Sequence, residues 1–233
     1  MLALMSFEIA DRFQNLTNII SLPLMPYDKL DPPVASHADM LICVIDKAVF
    51  CYEDYYKAHK PIFEEIEKLG YTVVTTSAKC KSKYPKDISL NVFVACKKIF
   101  CKKEYVAKEI LEYARINGYE IINVKQGYTA CSCLRLKDNV VVTGDMGMKR
   151  VLEENGFEVF SFDNSKIFLN GYNCGFIGGS AGVLDNKIYF FGPREIFEEN
   201  EELKSFLNEE NFQLVSILND RVYDFGGIKF LKQ

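Results

Sequence analysis

One combination of residues in this chain could do covalent chemistry. A thiolate can attack an electrophilic carbon, an imidazole can carry the protons, and carboxylates can hold a cationic substrate. Cys131, His37 and Asp39 form the candidate catalytic set for attack at an amidine or amide carbon. His37 precedes Asp39 by two residues, as Cys131 precedes Cys133. Residues two apart on a strand share a face, so each pair is expected to line one site. The second histidine, His59, lies beside Lys60-Pro61 near a helix start and reads as a surface residue.

Two other chemistries fit less well. Cys131, Cys133 and His37 could ligate zinc, but the familiar paired ligand spacings are absent. No metal and no cofactor is therefore expected. The run Gly175-Phe176-Ile177-Gly178-Gly179-Ser180-Ala181-Gly182 lacks the Lys-Ser/Thr ending of a phosphate loop and precedes a strand pattern. Its glycines are expected to let backbone pass close to a neighbouring strand or to a ligand.

The elements that must position these residues are legible from a repeat. Gly70-Tyr71-Thr72-Val73-Val74, Gly118-Tyr119-Glu120-Ile121-Ile122, Gly156-Phe157-Glu158-Val159-Phe160 and Asn211-Phe212-Gln213-Leu214-Val215 share one pattern. Gly or Asn ends a helix in the left-handed conformation, and the aromatic segment after it suits a strand. Reading back from each copy gives strand, strand, helix, strand. The helices are expected over Tyr56–Leu69, Tyr105–Ile116, Met148–Glu154 and Ile196–Leu207. First strands are expected at Met40–Ile45, Val92–Ala95, Cys133–Leu136 and from Gly175–Gly179 onward. A fifth unit forms if the chain ends join: strand material in Arg221–Leu231 meets a helix over Phe7–Leu16 and a strand from Ile19, with Asn15 and Asn18 replacing the Gly-aromatic signal. The units then run about 37–75, 89–124, 128–162, 173–217, and 221–233 joined to 5–24, in a single domain of 233 residues. The fold class is α/β, a ring of five ββαβ units with pseudo-fivefold symmetry closed by both termini, which leaves no open sheet array.

Superposing the units places a short polar residue at the start of each first strand: Asp39, Asn91, Cys131, Asn173 and Asp224. In a ring these meet at one end of the central channel. Convergent polar groups among apolar strands need one another, water or a ligand. Asp224, Asn91 and Asn173 are accordingly candidate substrate-binding residues, with Cys133. The competing reading is that short polar residues begin strands because turns precede them. Asp145 ends a second strand, in register with Asp54 and Glu104. It reads either as part of a second polar ring at the substrate or as a helix cap, since acidic residues favour helix starts.

Composition narrows the setting. A net charge of −4, spread along the chain, argues against nucleic acid or an anionic membrane as partner. Glu198–Glu202 and Glu209-Glu210 read as a solvated face. Met1–Met5 is apolar, but Glu8, Asp11 and Arg12 interrupt it too early for a secretory signal. Cysteines inside strand patterns behave as small buried hydrophobes. A reducing cytoplasm is the expected location.

Five ββαβ units, together with Gln126-Gly127-Tyr128-Thr129-Ala130-Cys131-Ser132 and Gly175-Phe176-Ile177-Gly178-Gly179, resemble a bacterial branch of the pentein β/α-propeller superfamily. That superfamily holds the guanidino-group-modifying enzymes: deiminases, dimethylarginine hydrolases and amidinotransferases. The resemblance covers essentially the whole chain. It implies a metal-free chemistry of cysteine and histidine, with acidic residues gripping a guanidinium. It also implies a nucleophile after a Gly-rich turn in the last unit. Here Asp224-Phe225-Gly226-Gly227-Ile228-Lys229-Phe230 keeps the turn, but Phe230 occupies the cysteine position and Lys229 replaces a polar neighbour. The chemistry is then either lost or rebuilt at a symmetry-related position, where Cys131 is the candidate.

Three functions follow. The first is a cysteine-dependent hydrolase or transferase acting on a guanidino, amidino or amide small molecule. The second is a binder that keeps the pocket without the chemistry. The third is a macromolecular partner-binding protein, since a ribosome anti-association factor has this architecture without catalysis. The expected partner is a small, cationic molecule, and residual sheet edges with aromatic surface could support a homodimer.

Overall fold

The computed structural model describes residues 1–233. Five three-stranded sheets recur along the chain, each with two antiparallel strands followed by a third that runs parallel to the second. They are Ile42–Ile45, Ala48–Tyr52 and Thr72–Thr76; Phe93–Ala95, Lys98–Cys101 and Glu120–Asn123; Cys133–Lys137, Val140–Thr143 and Glu158–Ser161; and Ala181–Leu184, Lys187–Phe190 and Gln213–Ser216. The fifth joins the chain ends. Lys229–Leu231 lies antiparallel to Leu2–Ser6, which lies parallel to Ile20–Leu24.

Each parallel step is bridged by a helix, as a parallel connection requires. The helix ends obey the repeat. Gly70, Gly118, Gly156 and Asn211 have φ of +82°, +69°, +85° and +56°, and Asn18 in the joined unit has +57°. A Cβ added at Gly70, Gly118 or Gly156 would meet nothing within 4 Å, so conformation rather than space selects glycine there. Each helix lays an apolar stripe on its sheet. In Lys60–Lys68 the stripe is Phe63 and Ile66, both fully buried, each worth about 1.5–3 kcal/mol of burial.

Several expected elements take a different form. The helix expected over Tyr56–Leu69 is two, Glu53–Ala58 and Lys60–Lys68, broken at His59 because Pro61 has no N–H to continue the ladder. That expected over Ile196–Leu207 is Arg194–Phe197 and Glu201–Glu209, restarted by Asn200, whose side chain accepts from the N–H groups of Glu202 and Leu203. The helix expected from Tyr105 starts at Lys108. Gly175–Gly179 is not strand: Ile177–Gly179 is a 3-10 turn, and the strand begins at Ala181. Val222–Tyr223 leaves the fifth unit and pairs with Ile167–Phe168. Leu2–Ser6, wholly buried and without alternation, is a strand that periodicity does not reveal.

The first strands share one feature that positions the site. Ile42–Val44, Val92–Val94, Cys133–Arg135, Ala181–Val183 and Ile228–Phe230, one segment from each sheet, line a single cavity of about 240 Å³. No helix is long and apolar enough to cross a membrane.

Candidate functional site

Just before two of the first strands the chain makes short helical turns, and these bring in His37, Asp39 and Cys131. His37 is the residue before the helix Ala38–Leu41, with Asp39 in its first turn. Cys131 lies within the helix Thr129–Ser132. Asp224 follows Val222–Tyr223 and precedes Gly226-Gly227. His37 and Asp39 therefore do not share a strand face as their spacing suggests; the turn brings both inward by another route.

Asp224 is held by backbone. Its Oδ2 accepts the Phe176 N–H at 2.8 Å and its Oδ1 the Gly226 N–H at 3.0 Å. Oδ1 also lies 3.6 Å from Nδ1 of His37, and both side chains are 2% exposed. Only glycine permits this approach: a Cβ on Gly179 would overlap the Asp224 carboxylate, and one on Gly226, at φ +77°, would overlap His37. The expectation for the Gly-rich run, that backbone passes close to a neighbouring strand or a ligand, describes Gly178, where a Cβ would lie 2.6 Å from the carbonyl of Cys133 at the start of the neighbouring strand.

Asn91 ties the other members together. Its Oδ1 accepts the Ala130 N–H at 2.8 Å, while Nδ2 stands 2.9 Å from Sγ of Cys131 and 3.0 Å from the Asp39 carbonyl. Asp39 is 1% exposed, and neither of its carboxylate oxygens has a hydrogen-bond partner. Burial pushes its pKa up to about 6, against the pull of His37 and Lys229. Burial also pushes the Cys131 thiol well above its ordinary value, and the carboxylates of Asp39 and Asp224 push it in the same direction. The site thus holds a protonated thiol beside a buried carboxylate that no stronger donor reaches.

Over this cluster opens a cavity of about 240 Å³, lined by His37, Cys131 and Asp224 together with Met40, Tyr128, Tyr172 and Phe176. The Tyr128 hydroxyl donates to Asp87 at 2.6 Å and the Tyr172 hydroxyl to Asp31 at 2.8 Å, so both phenols are tied elsewhere and offer the cavity their rings. Aromatic rings together with the Asp224 carboxylate suit an organic cation. A second cavity of about 370 Å³ shares His37 and Asp224 and adds Glu8, Asn170 and Tyr223.

Of the residues singled out from sequence, His37, Asp39, Asn91, Cys131 and Asp224 come together. Asn173 lines the same cavity but from an exposed loop, eight residues ahead of its unit's first strand. Asp145 stands apart: its Oδ1 caps the helix Met146–Glu154 through the Met148 N–H at 2.8 Å, and its Oδ2 accepts from Gln126 at 2.5 Å. Cys133 begins a strand while Cys131 is helical, so the two do not share a face. Cys133 lines the cavity of the first strands, with its pKa raised to about 12 by burial. Phe230, at the position the resemblance assigns to a nucleophile, packs its ring 5.4 Å from Tyr189 and 6.2 Å from Phe13. Sequence reasoning passed over Tyr128, Tyr172, Phe176 and Cys174 as lining residues. Two of them lie inside quoted motifs, but an aromatic residue in a loop carries no periodic signal of where it faces.

The profile of a family of unknown function, DUF6873, matches residues 4–229. No curated protein matches the sequence. Among solved structures, the fold is similar to that of DDAH from Pseudomonas aeruginosa, a cysteine-to-serine mutant complexed with citrulline. That match has a TM-score of 0.57 at 6% identity and covers 93% of this chain and 91% of that one. It is also similar to SxtG, an amidinotransferase from Microseira wollei in the saxitoxin biosynthetic pathway (TM-score 0.55, 9% identity, 88% and 72% of the chains). A third match is the N-terminal domain of ArgZ bound to product, an arginine dihydrolase from the ornithine-ammonia cycle in cyanobacteria (0.53, 12%, 97% and 94%). These are pentein-superfamily proteins, and the likeness is one of fold.

Proposed function

Because the chain belongs to the DUF6873 family and has a pentein-like fold, we propose that it is a five-bladed β/α-propeller acting on a small guanidino or amidino cation, with Cys131 as nucleophile. One segment from each of five sheets around a common cavity, and a fifth sheet made by both termini, support the ring reading. The observation that carries the functional reading is the Asp39 carboxylate, buried and without a partner beside Cys131.

A cation held by Asp39 and Asp224 would neutralise the two charges that add to burial in keeping the thiol protonated. Substrate binding would then lower the pKa of Cys131, and the proton would pass to His37. The thiolate would form an S–C bond to the amidine carbon as its C=N π pair moves to nitrogen. His37 would protonate the leaving amine as the C–N bond breaks, and then take a proton from the incoming water or amine as the S–C bond is released. Asn91 would orient Sγ throughout. The setting that goes with this reading is cytoplasmic, with neither nucleic acid nor membrane as partner.

A binder without chemistry is the second reading. The raised thiol pKa and Phe230 at the usual nucleophile position favour it. Alkylation separates the two. Chloroacetamidine, a cationic electrophile, should label Cys131 faster than neutral iodoacetamide, and agmatine should protect it, with sites mapped by mass spectrometry. Protection and a ligand-induced rise in Tm without preferential labelling would support the binder. No effect of agmatine on either would refute both.

A further inference from the structure

The cavity lined by the first strands shares no residue with the aromatic cavity above Cys131, and its chemistry is different. Its walls are apolar strand residues such as Val44, Val94 and Val183, and two cationic side chains, Lys229 and Arg135, reach it. No acidic residue lines it. Its two cysteines, Cys43 and Cys133, are both raised to about 12 by burial and so bring no negative charge. Lys229 is half-buried, and its charge pulls down the pKa values of Asp39 and Cys43. Yet neither Lys229 nor Arg135 takes part in an ion pair, and the Asp39 oxygens accept no bond from Lys229. Arg135 spends one Nη1–H on the Val94 carbonyl at 3.2 Å and keeps its other donors free.

Lys229 is half-buried against apolar walls with no counter-ion in contact, which is costly, and Arg135 stands exposed at the same cavity with donors to spare. We propose that this cavity is a second ligand site, taking a small monocarboxylate with an apolar tail, for which Lys229 and Arg135 supply the countercharge and the strand residues the hydrophobic contact. The volume of about 240 Å³ corresponds to about eight waters at ~30 Å³ each, so a ligand of about eight non-hydrogen atoms fits. The proposal stands independently of the chemistry at Cys131.

Hexanoate has that size and is the compound to test, by calorimetry on the full chain at low salt. Saturable binding is expected, with hexanol and inorganic phosphate each at least tenfold weaker, since one lacks the charge and the other the tail. Lys229→Met and Arg135→Gln should each weaken hexanoate by about tenfold, the loss of one charge-assisted contact. Arg135 is exposed, so its variant keeps the test valid if Lys229→Met fails to fold. Labelling of Cys131 by chloroacetamidine should be unchanged in Arg135→Gln. The proposal is overturned if hexanoate does not bind, if hexanol or phosphate binds as tightly, or if Arg135→Gln binds like wild type.

Discussion

Asp39 carries a penalty whose size can be worked out and measured. In the folded chain its carboxyl is pushed from 3.8 up to about 6, chiefly by burial. A carboxyl whose folded pKa is raised favours folding in its protonated form, so the advantage is full below the unfolded pKa. It is lost as pH rises through the folded value, and above about 6 the ionised group opposes folding by the full difference. Roughly two pKa units at ~1.36 kcal/mol each come to ~3 kcal/mol, most of which should develop between pH 4 and pH 8. Asp39→Asn keeps the shape and removes the charge. Urea unfolding of both proteins from pH 4 to 8 should show the variant gaining roughly 2–3 kcal/mol on wild type across that range. A domain of this size gains ~2–4 °C in Tm per kcal/mol, so the pH-dependent part is ~5–10 °C. Comparing pH values cancels whatever the buried amide itself costs.

The same variant tests function in the opposite direction. A guanidino cation would supply the partner that Asp39 lacks, so agmatine should stabilise wild type, and more strongly at pH 8 than at pH 5. Asp39→Asn should be more stable and indifferent to agmatine, the trade expected where a site is built at the expense of stability. A stability difference that does not change with pH would mean that the carboxylate is satisfied in solution. Undiminished agmatine binding by the variant would remove Asp39 from the cation site.

Two further substitutions test how the site is supported. Gly179→Ala would drive a methyl into the Asp224 carboxylate, so it should cost about 1–3 kcal/mol and abolish the agmatine-induced rise in Tm; retention of that rise would show that Asp224 does not hold the ligand. Tyr128→Phe keeps the ring but strips Asp87, already raised in pKa by burial, of its 2.6 Å donor. It should cost about 1–3 kcal/mol at pH 8, fading toward pH 4 as Asp87 protonates, with agmatine affinity within a few-fold of wild type. A pH-independent loss would place the cost in packing instead.

Different parts of this architecture are written in the sequence with unequal clarity. The helix-ending turns are legible because left-handed backbone admits few residue types: Gly70, Gly118, Gly156 and Asn211 announce themselves, and Asn18 completes the set. The joined fifth unit follows from the same logic, since Phe7–Thr17 and Ile20–Leu24 supply the helix and strand that Lys229–Leu231 lacks. The turns before the first strands are not legible. A helix of four residues such as Ala38–Leu41 or Thr129–Ser132 has no period, so His37-Ala38-Asp39 and Cys131-Ser132-Cys133 read as strand. That error left most of the cluster intact because position along the unit, rather than the facing of a strand, brings Asp39, Asn91, Cys131 and Asp224 together. It did misplace Cys133, whose facing does depend on the strand, and Asn173, whose unit enters its first strand later than the others.

The units have diverged most where they meet. A ring of identical repeats would place the same side chain five times around one axis, which stacks like charges or leaves a void. Here units one, two and three contribute Asp39, Asn91 and Cys131. The fourth meets its neighbours with backbone at Gly178: a Cβ there would lie 2.5 Å from the Ala130 carbonyl, and the Gly178 carbonyl would lie 2.5 Å from a Cβ on Gly227 of the fifth. Backbone contact among units three, four and five therefore closes one side, and the side chains of the first three fill the other. Asp224 can be gripped by two N–H groups only because Gly179 yields the space. Repeat identity is thus kept at the helix ends, where one backbone conformation must recur, and lost just before the first strands, where Asp39, Asn91, Cys131 and Asp224 differ in type. The glycines of the fourth unit and the unpaired carboxylate of the first are two sides of that arrangement, so relieving either should cost the other its purpose.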